Sequence, residues 1–370
     1  MKYFKQHKKF CISYLIIILI SIVSIIFTYN NHYLYKDTIA KISNIKEEYV
    51  TTEIMDYGYK EDIYNQTITA IIKNGKYKGK TITIENQYYK GQTYSQQYHK
   101  HDELFISLDT HKDTIRNVHI EGYKRDKYIV ILLVSFILII VLVGKLKGFL
   151  SIISLILNII LFNTIVYLNV KNIPLPLLSY IGAIVFSSIC LTLVSGKNKK
   201  TLSAIISSIT GVSITMLISL IVIHMTNYSG LRFENMELLT RPYEGIFISE
   251  LILGGLGAIM DISISISSSL NELLQKDPKI TSKQLIKSGF NIGRDIMSTM
   301  INVLFFTYIC TIIPNLCILF RNGINLSSLI NSYITLEMTR ALIGAIGITI
   351  TIPISIYITV LMYKRRTNKW

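Results

Sequence analysis

The stretch Gly254 to Leu273 reads GGLGAIMDISISISSSLNEL, and whether it is strand or helix decides the fold. The alternation ISISIS at 262 to 267 imitates a half-buried strand. An open strand cannot cross lipid with its backbone groups unpaired, and the apolar run from about 245 to 270 is long enough to span a bilayer, so a helix is predicted. At 3.6 residues per turn, Asp261, Ser265, Ser268 and Glu272 then lie within about 60° of one another as one polar stripe. Gly254, Gly257 and Ala258 continue that face and allow another helix to come close. The opposite side, Ile259, Ile262, Ile266 and Leu270, reads as plain apolar surface.

A carboxylate inside a span costs on the order of 2.5 to 3.5 kcal/mol on insertion scales, so Asp261 is expected to face a partner or a wet cavity. The following span, GRDIMSTMINVLFF from Gly293, puts Asp295, Thr299 and Asn302 on one face. Counting about 1.5 Å per residue places Asp261 and Asn302 at similar depth, and the two spans are expected to form an antiparallel pair with facing polar stripes. A third stretch, SYITLEMTRALIGAIGITITIP, carries Glu337 and Arg340 three apart, close enough to pair on one helix. Gly344, Gly347 and a kinking Pro353 follow. Two readings stand for each charged group: Asp261 as a packing hydrogen bond or an ion site, Glu337 and Arg340 as a rim ion pair or a working one. Arg294 and Asp295 read as an N-cap with a flanking positive charge.

Apolar runs of spanning length recur along the 370 residues, at about 11–29, 127–144, 149–169, 175–195, 201–224, 245–270, 296–319 and 333–362. The expected fold class is therefore an α-helical polytopic membrane protein of about eight transmembrane helices. One long stretch, 30–126, lies outside them, between the first two. From Gln66 it breaks into β-like runs, QTITAIIKNG, GKTITIEN, DELFISLD and TIRNVHIEGY, separated by Asn-, Gly- and Lys-rich turns. A small β-rich domain is predicted, of sandwich or OB-like barrel type. The preceding KDTIAKISNIKEEY is open between helix and extended chain. Domain limits follow: anchor helix 1–29, β-rich domain 30–126, seven-helix membrane domain 127–362, basic tail 363–370.

The net charge of +15 is distributed in a way that excludes a nucleic-acid role. Residues 30–126 hold 14 basic and 14 acidic side chains, so the excess lies in short segments between spans. Five alternate segments carry 18 Lys or Arg against 4 in the three others. The positive-inside rule then puts both termini in the cytoplasm and 30–126 outside it. The basic N-terminus and its apolar run lack a small-residue cleavage site and read as an uncleaved anchor. Between spans, QKDPKITSKQLIKSGF is expected to form a short amphipathic elbow begun by Thr281 or Ser282.

No metal or cofactor signature is present. The four cysteines all fall within spans, and although His99 and His101 would share one face of a strand, no carboxylate or cysteine pattern pins a metal site to them. Tyr88, Tyr89, Tyr94 and Tyr98 read as packing residues before groove residues.

Three regions taken together, GGLGAIMDISISISSSLNEL, GRDIMSTMINVLFFTY and EMTRALIGAIGITITIP, resemble the signature regions of the YibE/F-like family of bacterial multipass membrane proteins. The β-like region ending in EGYKRD resembles the extracytoplasmic part of the YibE-type member. Ser298 and Cys310 stand where members often keep glycine. The resemblance implies location in the bacterial cell membrane, a paralogous YibF-type membrane protein as partner, and no catalytic residues to carry over. On the residues themselves the first expectation is a gradient-driven permease or transport component, with Asp261, Ser265, Ser268, Asn302 and Asp295 as the site for an ion or small solute. The alternative is a scaffold or signalling component whose outer domain binds an envelope ligand or partner. An enzyme is not expected: the glycines before Asp261 lack the Gly-x-Gly-Asp spacing of aspartyl membrane proteases, and neither HExxH nor a Walker motif occurs.

Overall fold

The computed structural model describes residues 17–54, 60–91, 95–111, 114–228, 231, 233, 243–330 and 334–364. Cys11, Tyr94 and the end of the basic tail lie outside them. The chain divides into two units, Met1–Val143 and Gly144–Trp370.

The first unit holds a short apolar helix, α1 (Ile17–Tyr29), and a five-stranded antiparallel sheet. Its strands are β1 (Thr38–Ile54), β2 (Lys60–Ile72), β3 (Thr81–Tyr89), β4 (Glu103–His111) and β5 (Thr114–Tyr123), in the order β3-β2-β1-β4-β5. KDTIAKISNIKEEY is thus extended, as part of β1. Two-residue alternation builds the core: Gln66, Ile68, Ala70 and Ile72 of β2 point inward, as do Ile82 and Ile84 of β3 and Leu104 and Ile106 of β4. Register aligns Ile68 with Ile84 and Ala40 with both Ile72 and Leu104. β1 pairs with β2 along its length but with β4 only through Thr38–Lys41, and register shifts near Ser43 and Val50 bend it. The edge strands β3 and β5 approach each other. Tyr88 and Tyr98 are buried in this packing. His99 and His101 do not share a strand face: both precede β4 in a turn, where His101 adopts a positive φ of 76°.

The two ends of the β domain are held by a buried charge cluster. Lys124, 1% exposed, lies 3.1 Å from Glu103 Oε2 and 2.9 Å from Asp126 Oδ1. Asp126 Oδ2 accepts from Asn31 Nδ2 and Tyr35 Oη, and His32 Nε2 lies 3.0 Å from Glu103 Oε1. Asn74 donates to the carbonyls of His32, Tyr35 and Asp37. Burial alone would raise the Glu103 carboxyl, but its contacts with His32 and Lys124 outweigh that and hold it below the usual carboxylate range.

Among the described residues six helices are long and apolar enough to cross a membrane. They are α2 (Asp126–Val170), α3 (Leu175–Ser195), α4 (Lys199–Met225), α5 (Tyr243–Lys276), α6 (Ser282–Arg321) and α8 (Thr335–Lys364), with the single turn α7 (Leu326–Leu329) before the last. The 45-residue α2 leaves helical geometry at Lys145 (φ 51°, ψ −129°), inside the KLK segment that separates two predicted spans. The amphipathic elbow does not stand apart from the next span: α6 runs 40 residues without a break, started by a capping box between Thr281 and Gln284. Arg294 and Asp295 are consequently exposed residues within α6, not its N-cap.

Lys124→Met removes the cation shared by the buried Glu103 and the part-buried Asp126, and the expected loss is about 3 to 5 kcal/mol in the unfolding of the β domain within the full-length protein, read by denaturant titration of its tyrosine fluorescence. The depressed Glu103 carboxyl adds stability that is fully present above its unfolded value near 4.5 and is lost as pH falls through the folded value, so the same titration run downward from pH 6 should show that loss in wild type and a smaller one in Glu103→Gln.

Candidate functional site

A polar seam joins α4, α5 and α8. Along α4, Ser203, Ser207, Gly211, Thr215 and Ser219 recur every four residues; along α8, Gly347, Thr351, Ser355 and Thr359; along α5, Gly255, then Ser263, Ser267 and Asn271. Residues four apart stack on one helix face, so each series is a ridge of small and hydroxyl side chains. All the Ser and Thr of these series are buried.

The pairings show a constant register. Ser355 donates to Ser263, Ser267 meets Thr359 at 3.1 Å, and Tyr363 Oη donates to Asn271 Oδ1 at 2.6 Å, each across the same 92-residue offset, so α5 and α8 run parallel. Against them α4 runs antiparallel. Ser203 meets Thr359 at 2.7 Å and accepts a hydrogen bond from Ser267, while a Cβ at Gly211 would strike Thr351 Oγ1 and one at Gly347 would press on Thr215. Ser203, Ser267 and Thr359 thus form a three-helix hydroxyl cluster. Elsewhere the hydroxyls of Ser207, Thr215, Ser219 and Thr351 bond to the carbonyl four residues back in their own helix, which satisfies them without widening the seam.

At the end of the seam nearest Tyr243 lies a charge triad. Arg340 donates to Glu337 on its own helix and to Glu250 on α5, and its guanidinium stands 5.5 Å from the Phe247 ring. The expected Glu337–Arg340 pair therefore forms. Glu250 is the residue that sequence reasoning passed over, although a carboxylate in the apolar run GIFISELIL is the same kind of signal that Asp261 gives. Arg340 Nε, although buried, has no hydrogen-bond partner among the described residues. Between the triad and the hydroxyls a small cavity, with room for about one or two waters, is lined by Thr215, Ser219, Ile248, Gly255 and Gly344.

The residues first singled out lie elsewhere. Ile259, Ile262, Ile266 and Leu270, read as plain apolar surface, are core, at most 2% exposed. The stripe they oppose is turned outward: Gly254, Gly257, Asp261 and Glu272 are exposed, with Ala258, Ser265 and Ser268 half-buried. Asp295, Thr299 and Asn302 of α6 are exposed too. Among the described residues neither Asp261 nor Asn302 has a hydrogen bond, while Gly254 of the same stripe meets α6 beneath Tyr308. Of the predicted contact residues, Gly344 and Gly347 do pack, against Leu304 and Thr215 respectively, whereas nothing lies within 4 Å of a Cβ built at Gly257.

A β domain leading into long apolar helices that pack through a polar seam defines a polytopic, membrane-type helical protein. The chain belongs to the YibE/F-like family: that family's model matches residues 132–365, and the model of the YibE/F family N-terminal domain matches residues 33–123. No curated protein and no solved structure matches it.

Gly211→Ala should lower the thermal midpoint of the purified protein by an amount corresponding to about 1 to 3 kcal/mol, because its methyl group must displace Thr351. Gly144→Ala, with open space around its Cβ position, should leave the midpoint within the error of the same melting curves.

Proposed function

We propose that this chain is a component of a gradient-driven transport system in the bacterial cell membrane, and that the seam between α4, α5 and α8 is where a proton or small cation crosses. The observation that carries this reading is the line of hydroxyls from the Glu250–Arg340–Glu337 triad to the Asn271–Tyr363 pair. In a bilayer such groups are costly unless they pack helices or line a path for charge. The triad carries one more negative charge than positive, which favours a cation at the mouth of the seam. Ridges of small residues let neighbouring helices slide with little steric resistance, as rocking between helix pairs requires. Asp261 adds a second acidic group, at the middle of α5, able to hold a cation or proton once a partner supplies the remaining ligands.

The topology that goes with this function has eight crossings. In this reading α1 counts as one, and the break at Lys145 divides α2 into two. Both termini are then cytoplasmic and residues 30–126 lie outside, by the charge distribution between spans. The strand order with β3 near β5 fits a five-stranded barrel of OB-like type, a form that receives ligands on its surface. A scaffold role has one observation in its favour: four of the nine seam hydroxyls are already satisfied by their own helices, as pure packing would have them.

Proteoliposomes containing the protein, with a pH-sensitive dye inside, discriminate the two. Under an imposed sodium or proton gradient, wild type should move protons and Glu250→Gln should reduce the initial rate at least tenfold while the melting temperature stays within a few degrees. No flux from wild type under either gradient would remove the path reading and leave the scaffold.

A further inference from the structure

The outward stripe of α5 and α6 has the pattern of an interface, and we propose that it pairs with the same stripe of a second copy of this chain. Asp261 stands near the middle of the 34-residue α5 and Asn302 at the middle of the 40-residue α6. Tyr308 Oη lies over Gly254, and seven residues on from Gly254 along α5 is Asp261, while six back from Tyr308 along antiparallel α6 is Asn302. The two groups are therefore level, and both are exposed without a hydrogen bond among the described residues. An ionisable group at mid-depth on a helix face turned away from its own bundle is not matched to lipid tails.

What covers it follows from chemistry and depth. A carboxylate only accepts hydrogen bonds, whereas Asn302 offers an amide N–H pair and Ser265 and Ser298 offer hydroxyls. A two-fold axis along the membrane normal keeps every residue at its own depth and presents the same patch from both sides. It therefore brings one copy's Asn302 level with the other copy's Asp261, and the patch is complementary to itself. Gly257, with nothing within 4 Å of its Cβ position, marks where the two α5 backbones can approach. Helix α1 does not match this chemistry: its exposed side is Leu19, Ile20, Ile22, Val23, Ile26 and Phe27, and its Ser21 and Thr28 are turned inward. This pairing goes beyond the transport reading and does not depend on the seam.

The test is oxidative cross-linking in membranes, with Cys11, Cys190, Cys310 and Cys317 replaced by serine and Gly257→Cys introduced. A dimer of this chain should form with Gly257→Cys and not with Leu217→Cys on the exposed side of α4. Adding Asp261→Leu or, separately, Asn302→Leu should cut the cross-linked fraction at least fivefold. Wild type with its native cysteines, in lipid nanodiscs, should show twice the chain mass, which keeps the test independent of how the cysteine-free protein folds. Overturning results are a monomeric wild type, a cross-link to a different chain in place of a second copy, or a dimer that both leucine variants leave intact.

Discussion

The seam depends on one constraint: its hydroxyl groups, placed in an apolar surrounding, must find partners inside the protein. The cluster of Ser203, Ser267 and Thr359 meets it by bringing three helices to hydrogen-bonding distance at one point. Once that point is set, the four-residue spacing on each helix carries the register along the seam, through Ser263 with Ser355 and through Gly211 with Thr351. Bulkier side chains at the glycines would force the helices apart and break the hydroxyl contacts together. Helix α6 then packs on the far side of α8, with Gly289 and Gly293 accepting Ile356 and Ile352, and this leaves its polar side facing out.

Two kinds of polar group are handled differently. In the seam, weakly polar hydroxyls bond to their own helix or to a hydroxyl of a neighbouring one, so the cost of burial is small and close approach is the gain. In the β domain, full charges are buried instead, and Lys124 needs two carboxylates to offset its desolvation. That cluster joins the segment following α1 to the start of α2, so the domain is tied at both of its ends by one set of interactions. In the β domain charge fixes the two chain ends, and in the seam hydroxyls let the helices pack closely.

Much of this was legible in the sequence because it rests on short-range pattern. Hydropathy located the long helices, the KLK segment marked the break in α2, and two-residue alternation located β2 to β5. The Glu337–Arg340 pair followed from spacing on one helix. The direction in which α5 turns was not legible: both of its sides have helical periodicity, and Asp261, expected to face a partner or a wet cavity, lies on the exposed side of the chain. The ISISIS run drew attention to the serines as a strand-like oddity, whereas Ser263 and Ser267 belong to the seam and Ser265 to the outer stripe. Only comparison across three helices separates them, since the matching series on α4 and α8 lie some 60 and 90 residues away. Glu250 was missed for a related reason: its partner Arg340 is 90 residues distant.

The most direct test of the seam as a path is its access to water while a gradient acts. Single cysteines at Thr351, Ser355 and Thr359 of α8, in a background without the native four, are exposed to a small membrane-impermeant thiol reagent with and without an imposed ion gradient. The account predicts labelling at all three positions, faster under the gradient. A seam that excludes the reagent from every position under every gradient is packing alone, and the transport account fails.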